Sequence, residues 1–529
     1  MKYPIGIQDF RKIREDGYVY IDKTGLIYEM ANEGSIYFLS RPRRFGKSLL
    51  VSTLKCYFQG DRELFQGLKM ETLEKRWEKY PIFHIDFNSN DFNIAGTLQN
   101  MLLGYVSKWE KQYGLVPDER FSVGERFAQL LEFVHEKTGK RCVVLVDEYD
   151  KPMLDVMDNS TKINLSGNVT TLEEYNRNTL RSFYTTFKAA DAHLKFVFLT
   201  GVTKFSQISV FSGFNQPKDI SLDYRFDTLC GVTEEEIDTY LTPAVRSLAS
   251  NLELSEQEAR QQLKEKYDGY HFSRKMKDVY NPFSLFNALD SQKLENYWFS
   301  TATPQFLVRL LARSDANLNE LTEKYYDLSD LYEYRADAAR PLPMLFQSGY
   351  LTFKAYDKWT DTYLLDFPNK EVRDGFVTMC ASNYFKTEYS VKSNIVEFAK
   401  ALESSNLELL RKRLTSFFAS IPYSIRRKNN ETERERYFHY TFYLIFRLLA
   451  TYLVLTEKEL SQGRADCIIE TQTDIFIFEF KLDGSAAKAL AQIEDKGYTT
   501  PYQADKRKVH KIGVSLSSQT GTIDDWQEA

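Results

Sequence analysis

Phosphate binding needs a cation, a hydroxyl that can reach a divalent metal, and backbone N–H groups turned outward at a helix N-terminus. Gly46-Lys47-Ser48 offers this set. It follows the strand-like run Ser35-Ile36-Tyr37-Phe38-Leu39 and opens a predicted helix from Lys47 to about Tyr57. About 100 residues further on, the apolar run Val143-Val144-Leu145-Val146 ends in Asp147-Glu148. A carboxylate pair at a strand end can orient a Mg²⁺ shell and take a proton from attacking water. Asp147 is the expected Mg²⁺ ligand with Ser48, and Glu148 the expected general base. The turn itself is basic, and Arg41, Arg43 and Arg44 can each add a phosphate contact. Arg41 stands where a phosphate loop of this pattern carries its first glycine, so the loop is reshaped. ATP and Mg²⁺ are the cofactors this constellation expects.

A second constellation lies near the C-terminal end. Gly463 to Ile469 reads as a strand holding Asp466, and Asp474 to Lys481 as its hairpin partner holding Glu479 and Lys481. Glu479 and Lys481 are two residues apart and so share one face of that strand. Two carboxylates and a lysine on adjacent strands can hold Mg²⁺, activate water and steady charge building on a phosphate. Asp466 and Glu479 are the candidate metal ligands. A preceding helix offers Glu435 and a following one Gln492, whereas His439 reads as a packing residue. A Glu–Lys pair of this kind serves equally well as a structural salt bridge.

These side chains need elements to carry them. Predicted strands at 35–39, 81–87, 142–146 and 196–199 alternate with helices at 47–57, 95–113, 121–138 and 172–190, the pattern of a parallel α/β sheet. From Thr233 the chain turns helical to about 345, beginning with a capped, acidic first turn at Thr233-Glu234-Glu235-Glu236. Tyr350 to Lys354 and Thr362 to Leu365 then read as a hairpin flanked by helices, a winged-helix-like arrangement. Helix resumes over 391–418, and the Pro-containing stretch from Ile421 to Asn430 is the expected boundary. The reading gives three domains: 1–232, 233–425 and 426–529.

At 529 residues the chain exceeds one compact domain. A net charge of -5 gives no global footprint for nucleic acid. Locally, residues 1–60 carry ten Lys/Arg against six Asp/Glu, while the chain from Arg426 is neutral, so any nucleic-acid contact there needs a local groove. Aromatics make up 15% of the residues and are read mainly as core. Five scattered cysteines suggest neither a disulfide framework nor a zinc site. The N-terminus lacks an apolar leader and no run reaches transmembrane length, so a cytoplasmic protein without a membrane partner is expected.

Five segments together resemble the bacterial predicted AAA-ATPase-like family. They are Pro4 to Phe10, Tyr20 to Thr24, Phe38 to Ser48, Val146 to Pro152 and Phe198 to Phe205, with Tyr280-Asn281-Pro282-Phe283-Ser284 as a sixth. In that family the first phosphate-loop glycine is an arginine, as at Arg41. The resemblance implies a P-loop ATPase core and places Thr200, just after the 196–199 strand, where related ATPases carry a polar sensor of the γ-phosphate. Glu435 to His439, Gly463 to Asp466, Glu479-Phe480-Lys481 and Ala491-Gln492-Ile493 resemble the PD-(D/E)xK nuclease superfamily, which implies a restriction-endonuclease-like α/β domain. By that resemblance Asp466 and Glu479 are metal ligands, Lys481 the electrostatic residue and Glu435 an auxiliary carboxylate. The expectation is an ATP-regulated, Mg²⁺-dependent nuclease acting on DNA before RNA, with homo-oligomerisation as a route of control. The alternative is a nucleotide-switched interaction protein whose inactive nuclease-like domain only binds nucleic acid or a partner.

Overall fold

The protein's structure is a computed structural model. It describes residues 1–157, 161–165, 168–204, 217–302, 321–332, 341–385, 391–421, 441, 444–445, 448–449, 454–456, 459–460, 463–464 and 467–529. The chain divides into two compact units, Met1–Arg373 and Asp374–Ala529.

Strand-length apolar runs need both faces covered, and the first unit supplies that cover. Its sheet holds β1 (Ile36–Ser40), β2 (Ile82–Asp86), β3 (Cys142–Asp147), β4 (Leu194–Gly201) and β5 (Lys218–Asp219) in the order β2-β3-β4-β1-β5. Every pair is parallel. All six residues of β3 are buried, as an all-parallel sheet requires. Helices Thr97–Tyr113, Val123–Thr138 and Leu172–Ala189 join the strands. Phe127 fills the space between them, 5.7 Å from Phe83 and from Trp109 and 5.2 Å from Phe183 by ring centroids. The aromatics here are core, as composition suggested. Because β1 and β3 both flank β4, the turns following all three strands gather at one sheet edge, where open α/β sheets bind ligands.

Helix α1 (Lys47–Phe58) leaves that edge directly after β1. Thr233 and Glu236 form the reciprocal cap expected at the start of the helical region. Farther on, Asn281 caps α2 (Pro282–Ser291), its side chain accepting from the Phe283 and Ser284 N–H groups. The expected hairpin is present as β7 (Thr352–Asp357) and β8 (Thr362–Asp366), and an unforeseen third strand, β6 (Lys324–Tyr326), pairs with β8. Helix α3 (Leu342–Gln347) lies between β6 and the hairpin. Described residues on the two sides of 232/233 touch one another. Phe45 of the basic turn lies 4.8 Å from Tyr270 and 5.5 Å from Phe272 by ring centroids, and a Cβ on Gly349 would lie 2.5 Å from Pro42.

The second unit is built on a mixed sheet. Its order is β9 (Val454–Thr456), β10 (Cys467–Glu470), β11 (Asp474–Leu482), β12 (Lys508–Leu516) and β13 (Ile523–Glu528). β10 and β11 pair antiparallel as the sequence suggested, but β11 and β12 pair in parallel. Helix α4 (Ala486–Asp495) makes that parallel crossover, burying Ile493 against Ile468, Ile475 and Ile477. Of the stretch from Ile421 to Asn430 expected as a boundary, all but Ile421 lies outside the described residues.

Candidate nucleotide and nuclease sites

The turn from β1 to α1 needs backbone that a side chain resists. Gly46 supplies it at φ 90°, and Arg44 adopts φ 65° just before it. Lys47 and Ser48 then open the helix with their N–H groups outward. Lys47 is buried and its Nζ donates to the Arg41 and Pro42 carbonyls, both at 3.0 Å. Burial pulls its pKa down, and the nearby Glu148, Asp147 and Asp150 pull it up. Ser48 lies beside the Asp147 carboxylate at the end of β3 and favours its charged form. Asp147 is raised first by burial, with Ser48 and Lys47 opposing that rise. Glu148 is likewise raised by burial, and Lys47 opposes it.

A cavity of about 520 Å³ opens on this edge. Arg43, Gly46, Lys47, Ser48 and Glu148 line its polar side, and Ile5, Phe283 and Phe286 an apolar side. The volume and the mixed lining suit a nucleotide, with phosphates at the helix N-terminus and a base against apolar groups. Arg43 is half-buried at the rim, while the exposed Arg44 guanidinium lies 5.0 Å from the centre of the Phe283 ring.

Arg41 is placed differently from Arg43 and Arg44. The sequence offered it as a phosphate contact, but its side chain is 1% exposed and turned into the protein. Nη1 donates to the Ser40 and Ser221 carbonyls at 2.9 and 2.8 Å, Nη2 to the Phe226 carbonyl at 3.1 Å, and Phe272 stacks 4.0 Å away. An arginine with its donors on three carbonyls braces the loop from behind. Thr200 lies one residue before the end of β4, paired with Leu39 of β1, and its hydroxyl is buried with no hydrogen-bond partner among the described residues. The apolar wall of the cavity was missed as function. Its signal was present in Pro4 to Ile7 and in Asn281-Pro282-Phe283, which stood out in the sequence without a role.

In the second unit, Glu479 and Lys481 share one face of β11. Glu479 is 1% exposed, and Lys481 Nζ donates to its Oε1 at 3.1 Å and to Gln492 Oε1 at 2.6 Å. Gln492 reaches Lys481 because α4 lies flat on β12. A Cβ on Gly513 would meet the Ala486 carbonyl oxygen at 2.2 Å, so only glycine lets the helix approach this closely. Asp466, Glu435 and His439 lie outside the described residues. Among the described residues, no group of three or more His, Cys, Asp or Glu could hold a metal ion. No described helix is long and apolar enough to cross a membrane.

Two family models match the chain: one described as predicted AAA-ATPase over residues 4–211, and one as PD-(D/E)XK nuclease superfamily over 433–526. A protein of Azotobacter chroococcum mcd 1, called an uncharacterized protein in the vnfD 5' region, is 34% identical over 530 residues, covering 99% of this chain and 98% of that protein. The solved structure of the Aeropyrum pernix ORC1 protein in complex with DNA is also similar, at 12% identity and a TM-score of 0.24, over 69% of this chain and 95% of that one.

Proposed function

Because the chain belongs to the predicted AAA-ATPase family and carries a C-terminal PD-(D/E)XK nuclease superfamily domain, we propose that it binds and hydrolyses ATP to control a Mg²⁺-dependent cut in DNA. The observation that carries the ATP half is the convergence of Lys47, Ser48 and Glu148 on one cavity, with Asp147 beside Ser48. The α1 N-terminus and Lys47 would take the phosphates, once Lys47 leaves the Arg41 and Pro42 carbonyls. Ser48 and Asp147 would hold Mg²⁺, which neutralises phosphate charge when bound. Glu148, whose pKa burial raises while the nearby Lys47 favours its ionised form, would accept the proton of the attacking water. Thr200 would offer its unused hydroxyl to the terminal phosphate.

In the nuclease half, Glu479 would act with Asp466 on the metal, Lys481 would stabilise charge on the scissile phosphate, and Glu435 would assist. The Lys47→Ala variant tests the first half: it should lose ATP binding, and an unchanged affinity would remove the reading. Asp466→Ala or Lys481→Ala should abolish Mg²⁺-dependent cleavage while leaving the fold intact.

A second reading has its own observation. Lys481 is held by both Glu479 and Gln492, as a purely structural ion pair would be. Under it the nuclease-like domain binds nucleic acid or a partner without cutting. Purified protein that cuts neither DNA nor RNA with Mg²⁺ or Mn²⁺ and ATP would decide for this reading.

A further inference from the structure

Glu148 holds a backbone conformation that its residue type disfavours, φ 51° in the left-handed region. Such a residue persists only where its surroundings over-determine it. Its own N–H donates to Asp147 Oδ1 at 3.0 Å. The next two residues then dock on the end of β4. Tyr149 donates its N–H to the Thr200 carbonyl at 3.0 Å and its hydroxyl to the Thr203 carbonyl at 2.8 Å. Asp150 Oδ2 accepts three hydrogen bonds, from the Val202 N–H at 3.0 Å, the Thr203 N–H at 2.7 Å and the Thr203 hydroxyl at 2.7 Å.

The approach is close enough to exclude a side chain. A Cβ on Gly201 would lie 2.5 Å from Asp150 Oδ1 and 2.6 Å from the Tyr149 ring. Asp150 is 1% exposed, so its carboxylate is held by these donors in place of water. The docked segment is anchored in turn. The Lys204 N–H donates to Gln347 Oε1 at 2.6 Å, and Gln347 Nε2 donates to the Leu331 carbonyl at 2.8 Å.

We infer that Asp150, through Thr203, is the positioning residue that fixes Glu148 for ATP turnover. Neither Asp150 nor Thr203 lines the cavity, so they set the geometry of the base without contributing to nucleotide affinity. The inference rests on the proposed role of Glu148 and adds to it the device that holds Glu148 in place.

The test uses the full-length chain with Asp150→Asn, Thr203→Val and Thr203→Ser, reading steady-state ATP hydrolysis beside equilibrium binding of a fluorescent ATP analogue with Mg²⁺. Thr203→Val should lower kcat roughly 10-fold and Asp150→Asn on the order of 100-fold, as a displaced catalytic group does. KM and the binding constant should stay within about 2-fold, the signature of an interaction made only in the transition state. Thr203→Ser keeps the hydroxyl and should restore most of kcat. Wild-type kcat in both Asp150→Asn and Thr203→Val overturns the inference alone. So does a parallel fall in kcat, affinity and melting midpoint that Thr203→Ser does not repair. A wild-type chain that binds ATP but never hydrolyses it overturns the turnover reading and this inference together, and an unaltered affinity in Lys47→Ala marks failure of the site itself.

Discussion

The Trp298 indole N–H donates to the carbonyl of Arg43 at 2.9 Å, pinning the phosphate-loop backbone from 255 residues away. The backbone N–H of Trp298 is held by Glu371 Oε1 at 2.7 Å, and Glu371 Oε2 accepts the Ser284 hydroxyl at 2.7 Å. Ser284 sits in α2, the helix that gives Phe283 and Phe286 to the cavity wall. One buried carboxylate therefore connects the loop expected to take phosphates with the wall expected to take the base.

Trp298→Phe keeps an aromatic ring at this position and removes the indole donor. The Arg43 carbonyl loses its restraint, and nucleotide affinity should fall by roughly 3- to 10-fold, the worth of one buried hydrogen bond of about 1 kcal/mol. Isothermal titration with ATP and Mg²⁺ measures it. An affinity equal to wild type would mean that the loop holds its shape unaided.

Arg41→Ala removes the brace behind the loop and leaves the Ser221 and Phe226 carbonyls without the guanidinium that serves them. A loss of about 2–4 kcal/mol is expected, as for other buried charged groups removed from their hydrogen-bond network. Urea unfolding of the full chain carrying Trp526→Phe, so that the remaining tryptophans all lie in the Met1–Arg373 unit, followed by tryptophan fluorescence, reads it. Were Arg41 a phosphate contact instead, the stability of the ligand-free protein would hardly change and only affinity would drop.

Glu371 has its pKa pushed up to about 7, chiefly by burial, with Ser284, the Trp298 N–H and Lys266 opposing the rise. Asp268 is also pushed up to about 7 by burial. In the folded state both hold a proton that the unfolded chain has already released at pH 5–6. Unfolding then releases protons, so the stability contribution from these groups is greatest at low pH. It declines as pH rises toward 7 and is flat above. Glu371→Gln should flatten roughly half of this slope, a relative change of at most about 3 kcal/mol between pH 4.5 and 7.5. Unfolding free energies of the two proteins across that range provide the comparison, and parallel curves would refute the assignment.

Gln492→Ala leaves Lys481 with Glu479 alone and free to swing. Cleavage should fall roughly 10- to 100-fold, as when an outer partner that orients a metal-site residue is lost. Thermal stability should be nearly unchanged, because Gln492 is half-buried on the helix flank. A supercoiled-plasmid nicking assay with Mn²⁺ separates this from the structural-pair reading, under which neither protein cuts.

The sequence by itself determined the strand–helix alternation, the three helices flanking the parallel sheet, the hairpin at 352–366 and the placing of Gly46-Lys47-Ser48 and Asp147-Glu148 at element ends. These follow from short-range rules: apolar runs of strand length, 3.6-residue periodicity and caps such as Thr233 with Glu236. It also put Glu479 and Lys481 on one face, since alternation along a strand is local. Tertiary structure alone decided the rest. Arg41 turns inward because the carbonyls of Ser221 and Phe226, some 180 residues on, need donors. The parallel pairing of β11 with β12 and the reach of Gln492 depend on a glycine, Gly513, where helix and strand meet. The Asp150 clamp on Thr203 and the Trp298 bond to Arg43 join segments that no local pattern relates. The chemistry-bearing residue types were visible from spacing, whereas what holds them in place was set by partners far along the chain.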